Sequence, residues 1–220
     1  MNYFSIAIDG PAGAGKSTIA KAVSKKLNYI YIDTGAMYRA IGLYYLQNEI
    51  DLQNEDLING LIDNIKVEIT YENGLQQIIL NGDNVTSLIR TQEVSNAASV
   101  VSAYKKVREK LVSLQRDLAS STNVVMDGRD IGTVVLPNAS VKIFLTASTE
   151  ERAKRRYKEL LEKGQVVDLE TIKKEIEERD YRDINRETSP LMQAEDAILV
   201  DTSSMTIEEV IDEILRLCNK

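Results

Sequence analysis

Nine consecutive residues near the start of the chain, Gly10-Pro11-Ala12-Gly13-Ala14-Gly15-Lys16-Ser17-Thr18, carry the spacing Gly, four residues, Gly-Lys-Ser. Glycines so placed let successive backbone N–H groups point into one concavity that suits anionic oxygens. A helix starting at the lysine would add the partial positive charge of its N-terminus. Lys16 would reach the β- and γ-phosphates of a nucleoside triphosphate, and the Ser17 hydroxyl would ligate Mg²⁺. An apolar run at Phe4, Ile6, Ala7 and Ile8 precedes the loop, and Ile19, Ala20, Val23 and Leu27 follow at helical spacing. That is the strand–loop–helix context the pattern needs.

Three further groups of residues could do chemistry. Asp127 closes the apolar run Val124-Val125-Met126, the place of a carboxylate that holds Mg²⁺. An Asp-Gly pair is also ordinary turn chemistry. Asp33 is a weaker candidate for the same shell. Arg179, Arg182 and Arg186 fall at i, i+3 and i+7, with Asp183 among them, and Arg152, Arg155 and Arg156 share a face of the preceding helix. Balanced by nearby glutamates, these could be a solvated face. Arginine, however, can clamp phosphate oxygens with its planar fork, and the loop between the two helices could carry them over a nucleotide as a lid. Arg129-Asp130, after Asp127-Gly128, could grip a phosphate and read a base.

Composition narrows the chemistry. The chain has 220 residues, no histidine and one cysteine, which excludes His-based acid–base catalysis, triads and thiolate metal sites. A net charge of −7 argues against a nucleic-acid-binding surface. With neither a signal pattern nor a long apolar run, the chain is expected to work in the cytoplasm, off the membrane. Cys218 falls on the apolar face of the last helix.

The elements that must position these residues follow from periodicity. A strand over 3–9, the loop, and a helix over 16–27 lead to a strand over 29–32 ending in Asp33-Thr34-Gly35, then a helix over 36–47. This βαβα opening implies a parallel sheet. A helical patch over 55–62 comes next. Residues 63–88 read as a small antiparallel insertion: alternation over 65–71, the turn Asn73-Gly74, a strand over 76–80, and a third strand starting at Val85. Helices follow over 91–103 and 105–119, then strands over 124–128 and 141–146. Ser148 caps a helix running to 162, 164–168 is a loop, and a charged helix spans 169–186. The last strand covers 197–200, and Thr206 with Glu209 caps the final helix.

Taken together, these residues resemble the bacterial cytidylate kinases. The likeness is carried by the glycine loop, Asp33-Thr34-Gly35-Ala36-Met37-Tyr38-Arg39, Arg90-Thr91-Gln92-Glu93-Val94, Asn96-Ala97-Ala98-Ser99, Asp127-Gly128-Arg129-Asp130-Ile131-Gly132-Thr133, and Glu178-Arg179-Asp180-x-Arg182-Asp183-x-Asn185-Arg186. It spans about residues 4–215. Thr34 stands where the family often has serine, and either supplies a hydroxyl.

The resemblance implies a P-loop α/β fold: a five-stranded parallel sheet ordered 2-3-1-4-5, flanked by helices. It implies one kinase domain over 1–220, with a core of 1–35, 91–150 and 188–220, a monophosphate-binding lobe over 36–90, and a lid with its flanking helices over 151–187. The implied reaction moves the γ-phosphoryl group of ATP to CMP or dCMP with Mg²⁺. Carried over, residues 10–18 with Arg155 and Arg156 would bind ATP, and Ser17 and Asp127 the metal. Thr34, Tyr38 and Arg39 would border the acceptor, with Arg39 and Arg129 on its phosphate. Ser99, Arg108 and Asp130 would read cytosine, Arg179 and Asp183 would meet the sugar, and Arg186 the reacting phosphates. Lys16, Arg129, Arg179 and Arg186 would be catalytic, in a monomer. The alternatives are a kinase for UMP or a shikimate-like acceptor, or a nucleotide switch, though the chain lacks an Asn/Thr-Lys-x-Asp motif for GTP.

Overall fold

In the computed structural model, which describes residues 3–162 and 164–218, strand β1 (Ser5–Asp9) enters the glycine loop and helix α1 (Lys16–Leu27) leaves it. Strand β2 (Ile30–Asp33) runs directly into α2 (Thr34–Gln47). After α3 (Glu55–Leu61) come β3 (Val67–Glu72), β4 (Leu75–Leu80) and β5 (Asp83–Asn84). Helices α4 (Gln92–Val101) and α5 (Lys105–Ala119) lead to β6 (Val124–Gly128) and β7 (Val141–Thr146). The chain ends with α6 (Thr149–Glu162), α7 (Leu169–Asn185), β8 (Ile198–Asp201) and α8 (Ile207–Cys218).

Two compact units divide the chain: 1–31 with 122–220, and 32–121. The second unit therefore takes in α4 and α5, which the sequence reading assigned to the core. They join it because Val94, Ala98, Val101, Val107 and Leu111 share one buried cluster with Met37 and Ile41 of α2 and Ile78 of β4.

The larger sheet has the order β2-β6-β1-β7-β8. Numbered among themselves, these five strands lie 2-3-1-4-5, as expected. The parallel register sets Ile8 opposite Asp127 and Asp9 opposite Gly128. The β1 and β6 carboxyl ends, and the loops that leave them, therefore lie side by side, where open α/β sheets bind ligands. In the same unit, Ile6 and Ile8 pack with Ile19 and Val23 of α1 and with Ile211 and Ile214 of α8. Each such aliphatic side chain removed from water contributes about 1.5–3 kcal/mol. Thr206 and Glu209 cap α8 reciprocally, and Cys218 is half-buried against this cluster, where burial pushes its thiol up to about 11.

Two local expectations are corrected, and one element is added. Helix α2 begins at Thr34, not residue 36, because the Asp33 carboxylate accepts the Ala36 N–H and makes Asp33 the N-cap. The third strand of the insertion is Asp83–Asn84 and stops before Val85. There the Thr86 hydroxyl accepts the Ile78 N–H and ends the ladder. A one-turn π-helix, Ile131–Val135, follows Asp130, where no element was foreseen.

Within the second unit, α2 and α4 approach closely at Gly42. A Cβ there would sit 2.9 Å from the Ala98 backbone nitrogen. Gly42→Ala is accordingly expected to destabilise the protein by about 1–3 kcal/mol, against the usual helix preference for alanine. Thermal unfolding checks it; an unchanged or higher Tm would contradict the close packing.

Candidate active site

The glycine loop of the first unit is shaped by backbone that only glycine adopts easily. Gly10 has φ 147°, and a Cβ on it would lie 1.9 Å from the Leu145 carbonyl oxygen. Gly15, at φ 87°, is the N-cap of α1. The loop is also clamped from outside. The Arg152 guanidinium donates to the Ala12 carbonyl at 2.9 Å and pairs with Asp180 at 2.6 Å. Asp180 in turn accepts the Ala12 N–H at 3.3 Å. Arg152 donates as well to the Ala147 carbonyl and the Thr149 hydroxyl.

Lys16 is buried, and its ammonium donates to the Pro11 carbonyl at 2.7 Å. Burial holds its pKa well below the usual 10.5, with Arg129 and Arg179 acting in the same direction and Asp127 and Asp183 against it. The Ser17 hydroxyl donates to Asp127 at 2.8 Å, and the Tyr31 hydroxyl donates to the other carboxylate oxygen at 2.8 Å. A hydroxyl and a carboxylate, both hard oxygen donors, suit Mg²⁺, which is commonly held by one or two protein groups plus substrate phosphates. No group of three or more potential His, Cys, Asp or Glu ligands is found among the described residues.

Beside the loop, the Arg129 Nε donates to Asp183 at 2.8 Å. Burial pushes the Asp183 carboxyl up, but Arg129, Arg179 and Arg186 outweigh it and hold the group below its usual range. Arg186 approaches Asp130 at 3.7 Å, and Asp130 is buried. At the end of β1, Asp9 accepts from the Ile131 and Gly132 N–H groups at 2.8 and 2.7 Å. Burial pushes its carboxyl up to about 6, although these two bonds lower it.

The second unit holds its own cluster. Arg39 pairs with Asp33 at 2.9 Å. Since the other Asp33 oxygen caps α2, this carboxylate is engaged within its own unit. Gln76 of β4 accepts the Asp33 N–H and donates to its carbonyl, fastening the insertion to the start of α2. Thr34 and Tyr38 lie on this same α2 and are buried. Arg108 is buried, lies over the Tyr38 ring at 5.5 Å, and donates to the Ser102 carbonyl. The Ser99 hydroxyl is buried with no hydrogen-bond partner among the described residues, a group suited to a ligand.

Most residues singled out in the sequence thus fall into two clusters. Lys16, Ser17, Asp127, Arg129, Asp130, Arg179, Asp183 and Arg186 gather in the first unit. Thr34, Tyr38, Arg39, Ser99 and Arg108 belong to the second. Arg182 leaves its expected face and is exposed; Asp180 takes the inward place. Of the α6 arginines, Arg155 donates to Thr202 and lies beside Gly15, whereas Arg156 pairs with Glu159. Asp9, Tyr31, Gln76 and Asp180 were missed. Only Asp180 had a sequence signal, standing among the arginines at helical spacing.

A parallel sheet with a glycine–lysine loop after its central strand and a buried carboxylate, Asp127, bonded to the loop serine from the neighbouring strand is the arrangement of a P-loop phosphotransferase. The sequence matches the family model "Cytidylate kinase" over residues 6–220. It is 53% identical over 219 residues to a cytidylate kinase of Geobacillus sp. (strain WCH70), covering 100% of this chain and 98% of that one. It is 55% identical over 214 residues to one of Enterococcus faecalis (strain ATCC 700802 / V583), covering 97% and 95%. The chain belongs to the cytidylate kinase family, and its activity is the phosphorylation of cytidylate. A gluconokinase from Sinorhizobium meliloti 1021 is similar in fold, at TM-score 0.50 and 15% identity over 99% of this chain and 95% of that one. No helix among the described residues is long and apolar enough to cross a membrane.

Proposed function

We propose that ATP acts with Mg²⁺ and that the phosphorylation of CMP or dCMP to CDP or dCDP takes place in a cytoplasmic monomer. The observation that carries this reading is the burial of Lys16 within the field of Arg129, Arg179, Asp127 and Asp183. The loop lysine and the arginine helix share one electrostatic site, as phosphoryl transfer requires of cations along the path of the moving group.

Residues 10–18 cradle the donor phosphates, with Lys16 at the β- and γ-oxygens. Ser17 and Asp127 hold Mg²⁺, which neutralises phosphate charge when bound. Arg155 and Arg156 serve the donor side; the position of Arg155 beside Gly15 favours it. Arg39 and Arg129 hold the acceptor phosphate, while Thr34 and Tyr38 border that nucleotide. Arg179 and Asp183 meet the sugar and Arg186 the reacting phosphates. The acceptor oxygen is already anionic, so no general base is needed; catalysis is positioning and charge neutralisation. Helices α6 and α7, which pack through Ala153, Leu160, Ile172 and Ile176, act with the loop over 164–168 as a lid that excludes water.

Ser99, Arg108 and Asp130 read the base. Cytosine offers an amino donor at N4 and acceptors at N3 and O2, which match a carboxylate and a guanidinium. UMP would set its O4 against the carboxylate. Asp130→Ala is therefore expected to reduce the CMP-over-UMP ratio of kcat/KM about a hundredfold while the KM for ATP stays near wild type. Steady-state assays with CMP, dCMP, UMP, AMP and shikimate check this. A lost ATP affinity with intact base preference would overturn the role of Asp130, and faster turnover of AMP or shikimate than of CMP would overturn the acceptor.

A further inference from the structure

We propose that Asp9 is a specificity-positioning residue: its carboxylate sets the backbone that presents Asp130. The inference rests on the base-reading role given to Asp130. The first N–H groups of any helix lack partners inside the helix. For the one-turn helix Ile131–Val135, two of these donors, Ile131 and Gly132, are taken by Asp9 from 122 and 123 residues away in sequence. On its other side the Asp130 carbonyl accepts from the Val134 and Val135 N–H groups at 2.9 and 3.1 Å. The Asp130 backbone is thus fixed between the carboxylate of β1 and its own helical turn.

Asp9 is also the residue immediately before Gly10, at the end of the strand that opens the glycine loop. Its two carboxylate oxygens point to the π-helix, not into that loop. The loop has its own restraints in Arg152 and Asp180, both on Ala12. Loss of Asp9 should therefore be felt mainly at Asp130. The buried carboxylate is an unfavourable place for charge, and its pKa of about 6 reflects that. The pair of short backbone bonds gives the group a positional use that outlasts this cost.

The experiment is a double-mutant cycle on base preference. Asp9→Asn keeps the size of the side chain but replaces one acceptor by a donor facing a backbone N–H. It is expected to lower the CMP-over-UMP ratio of kcat/KM about tenfold, with the KM for ATP changed less than about twofold. In the Asp130→Ala background it should lower the ratio no further. Gly132→Ala, whose Cβ would come 3.4 Å from the Asp9 carboxylate and 3.2 Å from Lys142 Cδ, retains the charge and crowds the same anchor. It should shift the ratio in the same direction. A wild-type ratio in folded Asp9→Asn, or an additional loss on top of Asp130→Ala, overturns the inference alone. If Asp130→Ala itself keeps the preference for CMP, the base-reading assignment fails and this inference falls with it. Should Asp9→Asn not fold, an unchanged ratio in Gly132→Ala overturns the inference, and a reduced one supports it.

Discussion

Replacing Lys16 with methionine is expected to lower kcat roughly a thousandfold without lowering the melting temperature, because the charge that serves the transferring phosphate is costly to the free protein. Lys16 is buried, and Arg129 and Arg179 add repulsion to the loss of hydration. Uncompensated burial of an ammonium costs several kcal/mol. The hydrogen bond it makes to the Pro11 carbonyl returns about 1.5–3 kcal/mol. Methionine keeps the aliphatic packing and removes the charge. The sign of the pH dependence is testable as well. The native pKa lies below 10.5, so the unfolded chain binds the proton more tightly. Wild-type stability then falls as pH drops from 10.5 toward the native value. The variant has no ammonium to titrate, and its stability relative to wild type should rise over that window and level off below it. Thermal melts across the alkaline range measure this. A variant that melts well below wild type at neutral pH would mean that Lys16 holds the loop together.

The donor half of the site was legible in the sequence because its determinants are local. The Gly10 to Thr18 spacing specifies both the turn and the helix start, and the apolar run before Asp127 marks a strand end. Base-reading residues are different. Ser99, Arg108 and Asp130 lie on separate elements; Asp130 stood out by its place after Asp127-Gly128, but only the resemblance to a family named Ser99 and Arg108. The unforeseen parts are those created by long-range contacts. The π-helix at Ile131–Val135 has no periodic signature, and its first donors are satisfied from β1. Gln76 sits near the start of a strand whose alternation is weak and carries no signal of its own, yet it bonds both backbone groups of Asp33. Arg182 is exposed although its spacing groups it with Arg179 and Arg186, because the buried Ile172, Ile176 and Asp183 put the core on the Asp180 side of that face.

Arg152 is where that ambiguity has the largest energetic consequence. The sequence offered it as one of three lid arginines. In the fold it is buried and tied to four partners: the carbonyls of Ala12 and Ala147, the Thr149 hydroxyl and Asp180. These partners come from the glycine loop, the segment after β7, α6 and α7. One planar guanidinium can satisfy them together because its donors fan out in fixed directions. Arg152→Met would leave Asp180, with a side chain only 13% exposed, without its cation. Breaking a buried pair in this way costs about 3–5 kcal/mol, which for a chain of this size lowers Tm by roughly 6–20 °C. Arg152→Lys should recover little, since a single ammonium cannot reach the carbonyls of Ala12 and Ala147 and the Asp180 carboxylate at once. Asp180→Asn should cost less, because it leaves acceptors for the guanidinium. The catalytic effect separates a structural brace from a phosphate ligand. If Arg152 shapes the loop, the variants raise the KM for ATP in proportion to their loss of stability, and saturating ATP recovers most of the Tm by binding the folded state. A variant that keeps its Tm and loses only kcat would place Arg152 on the transferring phosphate instead.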